Sequence, residues 1–282
     1  MSMLLKIVRS KFRYSFGVAL LLLFVLLAIF GPLLYPHGTP INPNNIYAGP
    51  SLAHPFGTDF AGRDVLAEVV LGTSPVLVVA ALAGVITLLV GVTVGLLAGY
   101  VGGVLDVVLM RITDFILSLP SYPLLIILAD ILRVSGALPM AMLLSITAWA
   151  GLGRAIRSQI LAVKNQEYIE AAHSLELSRW RVATGEILPS LMPYIVMHLI
   201  IAVTQAVYGE VGLYFLGVVP VSAANWGVML NWAFNVSGAI YAPQSLLFLV
   251  CPLLAITLFQ MGAVFFNQAL EEFFNPNLRS VA

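Results

Sequence analysis

Between Arg154 and Glu186 the chain gathers five bases (Arg154, Arg157, Lys164, Arg179, Arg181) and four acids (Glu167, Glu170, Glu176, Glu186), although only 9% of its residues are charged. A stretch this polar needs water or a protein partner, so its chemistry is that of a docking surface rather than a reaction centre. Its centre reads Glu167-Tyr168-Ile169-Glu170-Ala171-Ala172, and Ile187-Leu188-Pro189 closes it. Residues 166–175 lack Gly and Pro, which predicts a short helix. Its small alanines would let another protein's groove approach the backbone, with the Glu170 carboxylate at the rim. A solvated loop helix fits the composition equally well. Ser178 is placed to cap a second short helix from Arg179, and Pro189 suits the first turn of the next long one.

A second set of chemical residues lies inside apolar sequence. Glu210, Gln205 and His198 interrupt one such run, and an ionisable group in that setting normally faces protein or water. His198 and Gln205, seven apart, can share a helix face, whereas Glu210 need not join them. These residues are candidates for a transport path, with a plain structural hydrogen bond as the other reading of Glu210. Asp106, Arg111 and Asp114 have spacings that predict ion pairs along one helix. No GxSxG or HExxH occurs, and no GxxxxGK[ST] follows a strand, so hydrolase chemistry and a nucleotide-binding loop have no motif here. Cys251, the one cysteine, is apolar filling by its surroundings, no metal-ligand spacing appears, and no basic stripe points to nucleic acid.

The elements that must position these residues are membrane helices. With 60% hydrophobic residues and a mean hydropathy of +1.00, the chain has too little polar material to cover a water-soluble globule. Six apolar runs are long enough to span a bilayer: residues 16–35, 76–100, 104–132, 137–152, 191–219 and 246–267. The third is the least clean, broken by Asp106, Arg111, Asp114, Pro120 and Pro123. The first follows Lys6, Arg9, Lys11 and Arg13, is longer than a signal-peptide core and lacks a small-residue cleavage site, so it reads as a retained anchor. A cytoplasmic N-terminus puts Arg111, Arg154, Arg157, Lys164, Arg179, Arg181 and Arg279 inside and only Arg63 and Arg133 outside, as positive-inside topology favours. Residues 36–72 become an irregular external connection packed on the bundle. Gly91 and Gly95 form a GxxxG spacing, which predicts close helix approach.

Glu170-Ala171-Ala172 followed by Ile187-Leu188-Pro189 resembles the EAA loop of ABC importer permeases. His54-Pro55-Phe56-Gly57-Thr58-Asp59, Gly62-Arg63-Asp64-Val65-Leu66, Ala98-Gly99-Tyr100-Val101-Gly102-Gly103, Met110-Arg111, Phe215-Leu216-Gly217 and Trp226-Gly227-Val228-Met229-Leu230, with Asp106 and Asp114, look like the second permease of the dipeptide, oligopeptide and nickel importer group. The resemblance covers nearly the whole chain. It implies an all-α integral membrane protein of the prokaryotic cytoplasmic membrane, with six transmembrane helices, the type I importer fold and cytoplasmic termini. The implied division is residues 1–71, a permease core 72–271 with its coupling loop at about 154–189, and a tail 272–282.

The resemblance also implies a non-catalytic subunit with no cofactor of its own, ATP and Mg being bound by two partner ATPase subunits. Glu170, Ala171, Ala172, His173, Glu176, Ser178, Leu188 and Pro189 would carry ATPase coupling. Glu210, Gln205, His198 and Asp114 are the path candidates. A homologous permease would complete the path, and an external solute-binding protein would deliver cargo to residues 36–72 and 218–244, with Trp226 and Trp232. Peptides are the implied cargo; oligosaccharides or nickel are alternatives, nickel being disfavoured without a Cys/His cluster. An ion-coupled secondary transporter using Glu210, Asp114 and His198 is the rival machine, against which stands the lack of an inverted repeat. Glu176 departs from the family, which usually has Gly there to serve a turn; His173 and Ser190 stand where Arg and Asn are common.

Overall fold

The structure, a computed structural model, describes residues 8, 11–169, 176–221 and 224–275. Long apolar stretches leave the chain one way to satisfy its backbone in lipid, the α-helix. The helices are α1 (Phe12–Leu34), α2 (Val65–Leu96), α3 (Gly103–Ser118), α4 (Ser121–Ile131), α5 (Ala137–Val163), α6 (Arg179–Val182), α7 (Leu188–Phe215), α8 (Trp226–Asn235) and α9 (Leu246–Phe274). One π-helical turn, Leu97–Val101, extends α2, and another, Ala183–Ile187, joins α6 to α7. Among the described residues five continuous helical segments are long and apolar enough to cross a membrane, and α3 with α4 makes a sixth if that pair, bent by 88°, counts as one span. The run that looked least clean in sequence is therefore the broken one.

Two expectations change, one at a helix boundary and one in the ion pairing of α3. The second span starts at Val65 rather than near Val76, because Asp64 caps it by accepting the Ala67 N–H at 3.0 Å. Gly72-Thr73-Ser74-Pro75 reads as a break in sequence yet lies inside the helix, where Gly72 lets the Asn225–Trp226 backbone and indole pack directly on α2. Asp106 and Asp114 do not pair along α3. Asp106 takes a two-pronged contact from Arg157 (Nε 3.1 Å, Nη2 2.6 Å), and Asp114 pairs with Arg154, both on α5. A facing helix presents a guanidinium fork that no on-helix neighbour matches.

α2 and α5 form the central pair. Gly91, Gly95 and Gly99 on α2 face Leu152, Ile156 and Ile160 on α5, both sets recurring every fourth residue on one helix face. A Cβ on Gly95 would lie 2.6 Å from Ile156 Cβ and 2.7 Å from the Gly153 carbonyl oxygen, so only glycine permits this approach. The large core joins α2, α5, α7, α8 and α9 through Val79, Met140, Leu143, Leu213, Trp226 and Phe248. α1 joins this core through Phe24 and fastens to α9. Phe24 meets Phe259 and Trp226 edge-on, and Lys11 reaches Glu272 at 2.8 Å. That bond raises the Lys11 ammonium above its ordinary pKa. We call the end of the bundle holding Lys11, residues 97–103 and residues 176–187 proximal, and the end holding residues 35–64 and 216–245 distal.

Candidate functional site

A cavity of about 540 Å³ opens among α2, α3, α4, α5 and α7. Its polar lining consists of Thr87, Ser121, Tyr122, Thr147, Gln205 and Tyr208, and none of the residues lining it is charged. α7 supplies Gln205, Tyr208 and Gly209, while the bend after α3 turns Ser121 and Tyr122 toward them. Small residues make the room: Ala83, Ala148, Gly151, Ala202 and Ala206 complete much of the wall. The volume lies within the range of small-molecule sites. Neutral side chains suit a polar solute whose own side-chain charge varies, because no charged side chain lines the wall to reject or trap it.

Of the four path candidates, Gln205 alone lines this cavity. Glu210 lies elsewhere, 1% exposed, accepting from Asn225 Nδ2 at 2.7 Å where the chain enters α8. His198 bonds its own Tyr194 carbonyl at 3.1 Å and stacks on that ring. Asp114 faces Arg154. These three titratable groups have separate partners and form no relay. The hydroxyls at Thr87 and Thr147 escaped sequence reasoning, because threonine in an apolar helix ordinarily bonds the carbonyl one turn back, as Thr73 and Thr113 do here.

The proximal end carries the second candidate surface. Ile169, Val182, Ala183, Ile187 and Leu191 pack with Leu96, Leu152, Ile156 and Ile160, so the polar segment is seated on the ends of α2 and α5 by apolar contacts. Ser178 caps α6 by accepting the Arg181 N–H at 3.3 Å; Leu188 and Pro189 open α7. Glu176 has φ +56°, a left-handed backbone ordinarily given to glycine. Glu170, Ala171, Ala172 and His173 lie outside the described residues. Tyr168 and Trp180, both exposed, flank that interval.

The distal end is closed by charge. Asp59, fully buried, accepts the Ala61 and Arg63 N–H groups and the Arg63 Nε, each at 2.8 Å. Arg63 reaches on to Glu68 at 3.1 Å and stacks over Phe60 and Trp232. The turn beneath needs Gly62, at φ +74°, since any Cβ there would strike the Asn42 carbonyl. Trp226 donates its indole N–H to the Val69 carbonyl at 3.0 Å and so ties α8 to α2. The contacts of Asp59, Arg63 and Trp226 explain motifs that sequence could quote but not interpret.

Residues 91–280 match the family described as the binding-protein-dependent transport system inner membrane component. The chain belongs to that family. Among its relatives, the dipeptide transport system permease protein DppC of Bacillus subtilis is 36% identical over 219 residues, covering 76% of this chain and 68% of that protein. The oligopeptide transport system permease protein OppC of the same species is 32% identical over 274 residues, 96% of this chain and 88% of that protein. A DppC from Alkalihalophilus pseudofirmus is 31% identical over 268 residues, 94% and 86% of the two chains. As an inner membrane component with several apolar spans, the protein is a multi-pass protein of the cytoplasmic membrane. The family match takes in the cavity from Leu117 onward and the whole proximal segment.

Proposed function

We propose that this inner membrane component is one permease half of an ATP-driven importer of peptides. The observation that carries this reading is its similarity, over most of its length, to permeases named for dipeptide and oligopeptide transport. The cavity supports it, since neutral hydroxyl and amide groups suit the peptide bond common to cargo of any side-chain charge. In this reading the proximal end is cytoplasmic, as are both termini, and a homologous permease closes the cavity from the other side. The division at residues 71 and 271 follows from the same scheme. Glu170, Ala171, Ala172, His173, Glu176, Ser178, Leu188 and Pro189 seat in one of two ATPase subunits that bind ATP and Mg. ATP-driven closure of those subunits moves the segment and, through Ile187 and Leu191, the base of α7. A solute-binding protein meets the distal end.

Pull-down of the ATPase subunits with wild type, Glu170→Ala and Ala171→Arg, alongside peptide uptake, tests this. Ala171→Arg is expected to lose ATPase recruitment and uptake at an unchanged level in the membrane. Undiminished uptake by a chain that recruits no ATPase overturns the reading.

A further inference from the structure

We propose that the N-terminus of α4 binds the C-terminal carboxylate of the peptide in transit, so that cargo crosses this half of the path in a fixed orientation. The proposal rests on the peptide reading above and adds to it a recognised group and the atoms that recognise it.

The geometry begins with the 88° bend between α3 and α4, which exposes a helix start at the edge of the cavity. The first N–H groups of any helix lack intrahelical acceptors and carry the positive end of its dipole. At α4 they stay uncapped, because Pro120 occupies the cap position and offers no side-chain acceptor. Pro123 has no N–H, and the Leu124 N–H bonds the Pro120 carbonyl at 3.2 Å. Ser121 and Tyr122 therefore hold the free N–H groups, and both residues line the 540 Å³ cavity.

A second observation points independently to a ligand. Thr87 and Thr147, on α2 and α5, line the same cavity while only 4% and 8% exposed, and neither hydroxyl has a hydrogen-bond partner among the described residues. Hydroxyls that make no protein hydrogen bond and line the cavity are left for whatever enters it to complete. Two hydroxyl donors and a positive helix end, with no acid among the lining residues to neutralise them, select an anion. The anion that every unmodified linear peptide carries is its terminal carboxylate. Its ammonium end finds no carboxylate in this wall.

The test is equilibrium binding of radiolabelled tri-alanine and of tri-alanine amide. It uses the nanodisc-held complex of this chain with its companion permease and ATPase subunits, without the solute-binding protein, whose own selectivity then does not enter. Wild type is expected to favour the free acid by about five- to tenfold, the scale of a charged hydrogen bond at a helix end. Ser121→Pro removes one N–H at the first helical position, where proline fits. The extended Pro120 preceding it, at ψ 102°, accepts a following proline. This variant should bring the acid-to-amide ratio to about one. Should it fail to assemble, Thr87→Val with Thr147→Val, which keeps the side-chain shape, should lower the ratio by about threefold or more. Equal wild-type affinity for acid and amide overturns the proposal, as does a parallel loss of both in the variants. Binding of neither form overturns the peptide reading itself, and the proposal with it.

Discussion

The two ends of the bundle are closed by different physics. At the distal end Asp59, Arg63 and Glu68 form a largely buried charged chain, with Arg63 lying over the rings of Phe60 and Trp232. At the proximal end ion pairs of Lys11 with Glu272 and Arg157 with Asp106 lie at the margin, and the polar segment itself is seated by aliphatic contacts of Ile156, Ile160, Val182, Ile187 and Leu191, laid over glycines. Hydrogen-bonded charges hold only at one distance and angle, whereas apolar contact has no direction and survives a small slide. The distal end is thus built to keep one geometry, and the proximal end to change geometry at little cost. The proposed coupling of ATPase closure to helix movement needs that asymmetry in that order.

The largest expected effect comes from breaking the rigid end. Arg63→Met leaves Asp59 buried and uncompensated, which should lower stability by about 3–5 kcal/mol. Thermal unfolding of the purified complex measures it. Asp59→Leu combined with Arg63→Met should recover part of the loss, because the Asp59 charge is gone while Glu68 still lacks Arg63. If the double variant is as unstable as the single, the ion pair supplies net stability rather than a fixed geometry, and the contrast between the ends weakens.

The next effect should come from stiffening the sliding end. Gly95→Ala puts a methyl group against Ile156 Cβ and the Gly153 carbonyl, and the carbonyl, being backbone, cannot turn away. Overpacking of this kind costs about 1–3 kcal/mol. Uptake should fall by more than membrane level does, since α2 and α5 are wedged apart where the proximal segment rests. A fall in level that accounts for all lost uptake would mean that Gly95 serves packing alone.

How much of this was legible in sequence followed how local its cause was. The GxxxG spacing of Gly91 and Gly95, the Ser178 cap and the place of Pro189 are set within a turn or two of chain, and each reads directly. The start of α2 at Val65 was hidden, because Gly72 and Pro75 carry a break signal that packing of Trp226 from far along the chain overrides. Asp106 and Asp114 looked like partners of Arg111 until α5 supplied Arg157 and Arg154 from 51 and 40 residues away. In the cavity, Gln205 was conspicuous as an amide in an apolar run. Thr87 and Thr147 were not, since what marks them is a hydrogen bond they do not make. Glu210 drew attention by its charge and is engaged by Asn225 instead.

The smallest effect sits at Glu176, and its sign is informative. A left-handed backbone costs a residue with a Cβ about 1–2 kcal/mol, and glycine returns part of that through its greater freedom in the unfolded chain. Glu176→Gly should therefore stabilise the proximal segment by about 1 kcal/mol or less, seen as slower proteolytic nicking between residues 164 and 188. A gain would mean that the chain tolerates strain at the proximal end, where a looser turn suits the movement proposed for that segment. Faster nicking would mean instead that the Glu176 side chain holds the turn by a contact worth more than the strain, and the proximal end would be less free than its apolar packing implies.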